Sequence, residues 1–190
     1  MVADLVPEKR HGLLIQEARL IARRVPNLVL LFIGRGDRRG HWRRQWHEAL
    51  EGIEVRWVTD CDRASDWLGA YDVLVSPSSQ EAFGRAVAEA MLAGVPVVAR
   101  DAGGPGDFIQ DGRTGLLVRA RHRRPGDLAA AVLRLVEDRA FAASVAARAR
   151  ASAVERFAPE KMARRLAETY EQILRHAVGV AGEDGEESDE

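Results

Sequence analysis

Short apolar runs, each bounded by turn residues, recur along the first 120 residues and constrain the fold more than any other feature. Each run has the length and composition of a β-strand, and its nearly continuous apolar character is typical of strands buried on both faces of a parallel sheet. The runs are LVLLFI at 28–33, IEVRWV at 53–58, DVLVS at 72–76, PVVA at 96–99 and GLLV at 115–118.

Helical patterns separate these runs. Strands that alternate with helices form right-handed βαβ units, so the sequence predicts an α/β fold with a Rossmann-like, doubly wound parallel sheet. After Val118 we expect only helices, with the last helix opening on Pro159, which suits a first helical turn. The predicted helices cover residues 8–24, 37–50, 62–71, 83–93, 125–137, 139–155 and 159–177.

The first strand of such a sheet is central, yet only MVADLV precedes the first predicted helix. We therefore expect a truncated first strand. A chain of 190 residues is typical of one domain, which we place at residues 1–178. Residues 179–190 are predicted to form an acidic, disordered tail, because the last eight residues, EDGEESDE, are rich in carboxylates.

The net charge of −1 is thus the sum of this acidic tail and a basic remainder of the chain, whose positive charge is almost all arginine. A basic body is compatible with an anionic ligand such as a nucleotide, and equally with an arginine-rich genome composition. Cys61 is the only cysteine, which excludes an intrachain disulfide or a cysteine-based metal cluster. No apolar run is long enough to span a membrane and no secretory signal is recognisable, so a cytoplasmic location is expected.

The segment from Ser76 to Val118 carries the chemistry. A strand ends at Pro77, a polar loop follows, and Phe83-Gly84 begins a helix whose N–H groups form an anion site. Glu81 and Glu89 flank this helix start, and carboxylates accept hydrogen bonds from sugar hydroxyls. The alternative is that Glu81 only caps the helix and Glu89 is an ordinary solvated residue. The small apolar neighbours of Glu89 favour a partly buried, functional position.

Glu81 and Glu89, with seven residues between them, resemble the E-x7-E motif of the retaining GT-B glycosyltransferases of group 1, or family 4. The flanking stretches EAFGRAVAEAMLAGVPVVA, DGRTGLLV and LVPEKRHGLLIQEARLI are similar to other motifs of that family. The resemblance covers residues 4–175. It implies the C-terminal, donor-binding half of a GT-B enzyme, which moves a hexose from a nucleotide diphosphate sugar of the UDP, GDP or ADP type to an acceptor hydroxyl.

The resemblance also implies roles for individual residues. Glu81 would bind and position the transferred hexose, Lys9 would contact the diphosphate, and Glu89 would bind the ribose hydroxyls. The loop containing Cys61 would pass near the base. The main chain around the helix start would hold the phosphate and the sugar, through Phe83, Gly84, Arg85 and Ala86. No cofactor or metal is expected, and no nucleic acid partner is expected.

The departures from the family pattern shape the functional prediction. Asp4 stands where the family has a diphosphate-binding arginine, and Arg10, which stands where it has a glycine, is a candidate replacement cation. The family's N-terminal acceptor domain has no counterpart in these residues. We therefore expect little transferase activity without a separate acceptor-binding domain or subunit. The alternative is a non-catalytic, degenerate half-enzyme that acts as a nucleotide-binding or partner subunit. A peripheral membrane contact is left open.

Overall fold

The computed structural model describes residues 1–36, 44, 46, 50–59, 61–119 and 124–183. Most of the helix predicted for 37–50 lies outside these residues, as do the last seven residues of the predicted acidic tail. The chain divides into two compact units, residues 1–152 and 153–190. The candidate site belongs to the first unit.

Within the described residues, five strands form the sheets of the first unit, and every pair of neighbours is parallel. Strand β1 (Val29–Ile33) pairs with β2 (Glu54–Val58) in one sheet. In the other, β4 (Val97–Asp101) lies between β3 (Leu74–Ser76) and β5 (Leu116–Arg119). Each strand begins within two residues of its predicted start, because the turn residues that flank each apolar run end the pairing.

The residues that precede the first helix run alongside β1. The Met1 amino group donates to the Leu31 carbonyl (2.7 Å), Ile33 N–H donates to Met1 O (3.0 Å), and Ala3 N–H donates to Ile33 O (2.9 Å). Only Val2, opposite Ile33, forms a strand-like bridge. The first strand is thus as short as predicted. Burial lowers the pKa of the Met1 amino group to about 4.

Six α-helices and two short 3-10 helices complete the described chain. The 3-10 helices are Pro7–Lys9 and Ala64–Ala70. The α-helices are α1 (His11–Ala22), α2 (Arg85–Leu92), α3 (Gly104–Phe108), α4 (Asp127–Glu137), α5 (Arg139–Phe157) and α6 (Pro159–Glu183).

Three predicted helix starts were wrong, and in each case a residue with a positive φ precedes the observed start; the helix expected from residue 125 begins at Asp127, after Gly126 (φ 91°). The helix expected from residue 8 begins at His11, because Arg10 adopts the left-handed conformation (φ 52°, ψ 44°) that ends the 3-10 turn. The helix expected from residue 83 begins at Arg85, because Gly84 has a φ of 92°. The segment predicted as a helix at 62–71 is a 3-10 helix rather than an α-helix.

Helices α1 and α4 pack against each other, α4 also contacts β4 and β5, and α2 packs on β3 and β4. The carboxylate of Glu17, which is buried in α1, accepts hydrogen bonds from the main-chain N–H groups of Gly126 (3.2 Å) and Ala129 (2.8 Å). A buried carboxylate thereby satisfies the N-terminus of α4 and fixes α1 to it.

An aromatic cluster lies beside the start of α1. The His11 ring is 5.8 Å from the Phe32 ring and 5.8 Å from the Trp46 ring, and Phe32 stacks on Trp57 at 4.4 Å. His11 is only 4% exposed, and its burial lowers the pKa of the imidazole to about 4. The side chain is therefore neutral in the folded protein near neutral pH.

In the second unit, α6 carries its large apolar side chains at helical spacing. Each is more than half exposed: Met162, Leu166, Tyr170, Ile173 and Leu174. Within the described residues, none of the helices combines the length and apolarity that a membrane span requires.

Candidate functional site

A cleft of about 710 Å³ opens at the carboxyl ends of β1, β2 and β3. Its lining comes from loops that follow these strands, from Val2, Ala3, Asp4 and Lys9, and from the first turns of α2. The carboxyl edge of a parallel sheet is where α/β proteins bind their ligands, because loops from several strands converge there. Eight of the nine predicted site residues line this cleft: Lys9, Cys61, Glu81, Phe83, Gly84, Arg85, Ala86 and Glu89.

Glu81 is held by its main chain and by one cation. Its N–H donates to Ala102 O (3.0 Å) and its carbonyl accepts from Gly104 N–H (2.7 Å). Its carboxylate receives a hydrogen bond from Lys9 Nζ at 2.5 Å, with the two side chains 18% and 26% exposed. Lys9 and Glu81, which are 72 positions apart in sequence, thus meet in the cleft. Glu81 is held at its main chain by residues 102 and 104 and at its carboxylate by Lys9.

The glycine pair at 103–104 has a packing role. A Cβ at Gly103 would collide with the Glu81 carbonyl oxygen, and a Cβ at Gly104 would lie 2.5 Å from the Phe83 carbonyl oxygen. Gly84 is equally confined, since a Cβ there would lie 2.9 Å from Pro105 Cγ. The glycines let the loop at 81–84 lie directly on the loop at 102–105, and this contact fixes the position of the Glu81 main chain.

The N-terminus of α2 faces the cleft. Gly84 precedes the helix, no side chain caps it, and Val87 N–H makes a turn-closing bond to Gly84 O (2.9 Å). The N–H groups of Arg85 and Ala86 precede that bond, where they can donate to an anion, and the helix dipole adds a partial positive charge.

Glu89 lies about one and a half turns into α2 and is partly exposed at the cleft, while its neighbours Val87, Ala88, Ala90 and Met91 are buried. Cys61, in the loop after β2, is also partly exposed in the lining. Two carboxylates and one helix terminus therefore share a single opening, an arrangement suited to a ligand with both hydroxyl and phosphate groups.

Arg10 differs from the other predicted residues, because it is exposed and is not among the residues that line the cleft. Asp4 does line it, and its Oδ1 accepts a hydrogen bond from Arg35 N–H (3.1 Å). Sequence reasoning missed Arg35 and Arg63. Each belongs to a loop that directly follows a strand, and that position was the signal available to find them.

The DGRTG motif serves the fold rather than the cleft. Asp111 Oδ1 accepts a hydrogen bond from Leu117 N–H (2.9 Å), and Thr114 Oγ1 accepts one from Gln110 N–H (2.8 Å). These bonds close the turn before β5. Among the described residues, no group of three or more His, Cys, Asp or Glu side chains is placed to hold a metal ion.

The chain matches a known protein family. A family model described as glycosyl transferases group 1 matches residues 1–138, which is well over half of the chain. The chain belongs to the group 1 glycosyl transferases. The resemblance drawn from the motifs around Glu81 and Glu89 is therefore confirmed.

Two curated relatives illustrate the similarity to this group 1 chain. The lipopolysaccharide core biosynthesis mannosyltransferase LpsB of Rhizobium meliloti is 38% identical over 123 residues, 64% of this chain and 34% of LpsB. The D-inositol 3-phosphate glycosyltransferase 2 of Catenulispora acidiphila is 37% identical over 147 residues, 72% of this chain and 34% of that enzyme. The chain thus spans about a third of the length of these relatives.

Solved structures support the same fold. Anabaena Alr3699/HepE in complex with UDP superposes with a TM-score of 0.77 at 25% identity, covering 90% of this chain and 48% of HepE. The C-terminal domain of the group 1 glycosyl transferase LpcC from Francisella tularensis superposes with a TM-score of 0.72 at 19% identity, covering 82% of this chain and 84% of that domain. The predicted fold, that of a C-terminal GT-B domain, is confirmed.

Proposed function

We propose that this chain is the donor-binding domain of a glycosyltransferase that moves a hexose from a nucleoside diphosphate sugar to an acceptor hydroxyl, with retention of configuration. The observation that carries the proposal is the convergence, in one cleft, of the Lys9–Glu81 pair, Glu89 and the N-terminus of α2. Group 1 membership and the HepE complexes with UDP and UDP-glucose support a donor of this class.

The diphosphate is assigned to Lys9 and to the main-chain N–H groups at the start of α2. As the bond to the transferred sugar breaks, negative charge accumulates on the leaving diphosphate. A fixed cation and a helix terminus stabilise that charge without any reorganisation of water. In this proposal the Lys9 ammonium and the helix dipole act in place of a metal ion.

The two carboxylates are assigned to the two sugars of the donor. Glu81 lies beside the start of α2, where it accepts hydroxyl hydrogen bonds from the transferred hexose and positions it. Glu89 lies deeper along the helix, where it accepts hydrogen bonds from both ribose hydroxyls. The loop with Cys61 contacts the base of the nucleotide, and we assign the donor to the UDP, GDP or ADP type.

Calorimetric titration of the purified chain with UDP, GDP and ADP tests the proposal. We expect one of the three to bind, and Glu89→Gln to weaken that binding about tenfold, since a hydrogen bond to a charged group contributes about 1.5–3 kcal/mol. Glu160→Gln, an exposed glutamate on α6 outside the cleft lining, is the matched control and should bind as the wild type does. Absence of binding by all three nucleotides at millimolar concentration would refute the proposal.

A second candidate is a non-catalytic subunit that binds a nucleotide and acts through a partner. Asp4 favours it, because a carboxylate in the cleft opposes a diphosphate. Transfer to an acceptor requires a closed cleft that orients both substrates, and the matching region of the relatives is only about a third of their length. We expect the isolated chain to bind donor without transferring sugar. Transfer that appears when an acceptor-binding domain is supplied favours the enzyme, whereas its continued absence favours the subunit.

A further inference from the structure

The charges that line the cleft are balanced within the part of the chain that the structure describes. The basic lining residues are Lys9, Arg35, Arg63 and Arg85, and the acidic ones are Asp4, Asp62, Glu81 and Glu89. A nucleoside diphosphate brings several negative charges into this space. Its binding therefore depends on which cations are already engaged by carboxylates and which are placed to meet phosphate.

Two of the four cations are engaged by nearby carboxylates. Lys9 Nζ is 2.5 Å from Glu81 Oε2. Arg63 makes two contacts with Asp66, from Nε at 2.9 Å and from the terminal guanidinium nitrogen at 2.8 Å. Arg85 lies at the first residue of α2, in the helix start already assigned to the phosphate. Arg35 is the cation of the lining to which no role has been assigned.

Arg35 is fixed next to Asp4 by the main chain. Its N–H donates to Asp4 Oδ1 (3.1 Å), and its carbonyl accepts from Leu5 N–H (2.6 Å). Gly34 permits this close approach, because a Cβ at that position would collide with the Ala3 carbonyl. The segment after β1 and the segment at 3–5 thus run in contact, and Asp4 and Arg35 both line the cleft.

We propose that Arg35 is a diphosphate-binding residue that offsets the charge of Asp4. The inference rests on the proposed function and adds to it a residue that selects diphosphates over monophosphates. The Arg35 side chain is exposed and extends from a main chain held by two hydrogen bonds, so its guanidinium can turn toward an anion in the cleft. A guanidinium also binds two phosphate oxygens at once, which suits a diphosphate.

Arg35→Gln and Asp4→Asn test the proposal in opposite directions. Arg35→Gln removes the charge but retains both main-chain hydrogen bonds, so the loop should fold as before. Asp4→Asn removes the opposing charge and keeps an Oδ1 that can accept from Arg35 N–H. Arg23→Gln, an exposed arginine outside the cleft lining, is the control for a change of one unit of net charge.

The probes are UDP, UMP and inorganic pyrophosphate, titrated calorimetrically at low and at physiological ionic strength. We expect Arg35→Gln to weaken UDP and pyrophosphate about tenfold and UMP about twofold or less, as for the loss of one charge-assisted contact. Asp4→Asn should tighten UDP several-fold, with the larger gain at low salt. Arg23→Gln should bind as the wild type does.

The outcomes separate this inference from the function on which it rests. If the wild type binds none of UDP, GDP, ADP and pyrophosphate, the donor-binding function itself fails for this chain; if it binds GDP or ADP instead of UDP, that nucleotide and its monophosphate replace UDP and UMP as probes. If the wild type binds and Arg35→Gln retains its UDP affinity, only the role of Arg35 is overturned. An equal loss for UMP and UDP also overturns it, because a merely structural effect would not distinguish the two nucleotides.

Discussion

Acidification should destabilise the fold through His11. The imidazole is 4% exposed, and its pKa is lowered from 6.5 to about 4, chiefly by burial and further by the Met1 amino group and Lys9, against Asp4 and a hydrogen bond with Ala3. Between these values the unfolded chain binds one proton more than the folded chain. Stability therefore falls as the pH drops from 6.5 to 4, by about 1.4 kcal/mol per pH unit and about 3 kcal/mol in all. Above pH 6.5 this contribution to the pH dependence vanishes.

Urea denaturation of the wild type and His11→Phe, at about pH 7.5 and about pH 5, measures the effect. Phenylalanine keeps an aromatic ring beside Phe32 and Trp46 but cannot titrate. Titrating groups that do not interact with His11 are common to both proteins and cancel in the comparison. The wild type should lose about 2 kcal/mol more than the variant between the two pH values. Equal losses in the two proteins would show that His11 does not titrate in this window.

Two further predictions concern backbone conformation, one at Gly104 with Gly12 as its control and one at Arg10. In thermal melts, Gly104→Ala should destabilise the fold by roughly 2 kcal/mol, and it should weaken nucleotide binding, because the new Cβ overlaps Phe83. Gly12→Ala is the control: a Cβ at this position in α1 has nothing within 4 Å, so the variant should be slightly more stable than the wild type. Arg10→Gly should raise the free energy of unfolding by about 1 kcal/mol, since the left-handed conformation favours glycine. Its UDP affinity should stay within about twofold of the wild type, and a tenfold loss (about 1.4 kcal/mol) would show that Arg10 contacts the diphosphate after all.

The strands were predictable because their apolar runs are both buried in the fold and bounded by turn residues in the sequence. The runs at 28–33 and 115–118 are apolar throughout, and turn residues flank them, so the sequence alone locates both strands. The starts of α1 and α2 were not predictable to the same degree. Arg10 carries no residue-type signal for a positive φ, and its conformation follows from the turn that precedes α1. Gly84 did carry that signal, but its place before rather than inside the helix depends on its packing against Pro105.

The components of the site were predictable, but their contacts were not. Glu81, Glu89 and Lys9 stood out through motifs, since each lies in a segment with recognisable spacing. The bond between Lys9 and Glu81 joins distant parts of the chain, and it follows from the spatial order of strands, which no local pattern encodes. Arg35 belongs to none of those motifs. Its place in the cleft becomes visible once the carboxyl ends of neighbouring strands are known to meet.

The contact between Asp4 and Arg35 shows why a motif departure cannot be judged one residue at a time. Considered alone, Asp4 in place of an arginine indicates a weakened diphosphate site. Residues 4 and 35 are 31 positions apart in sequence, but they are hydrogen-bonded in the fold and both line the cleft. Electrostatic stabilisation depends on where charge lies relative to the anion and not on which strand carries it. If Arg35 binds the diphosphate as proposed, its charge offsets the negative charge that Asp4 places in the cleft.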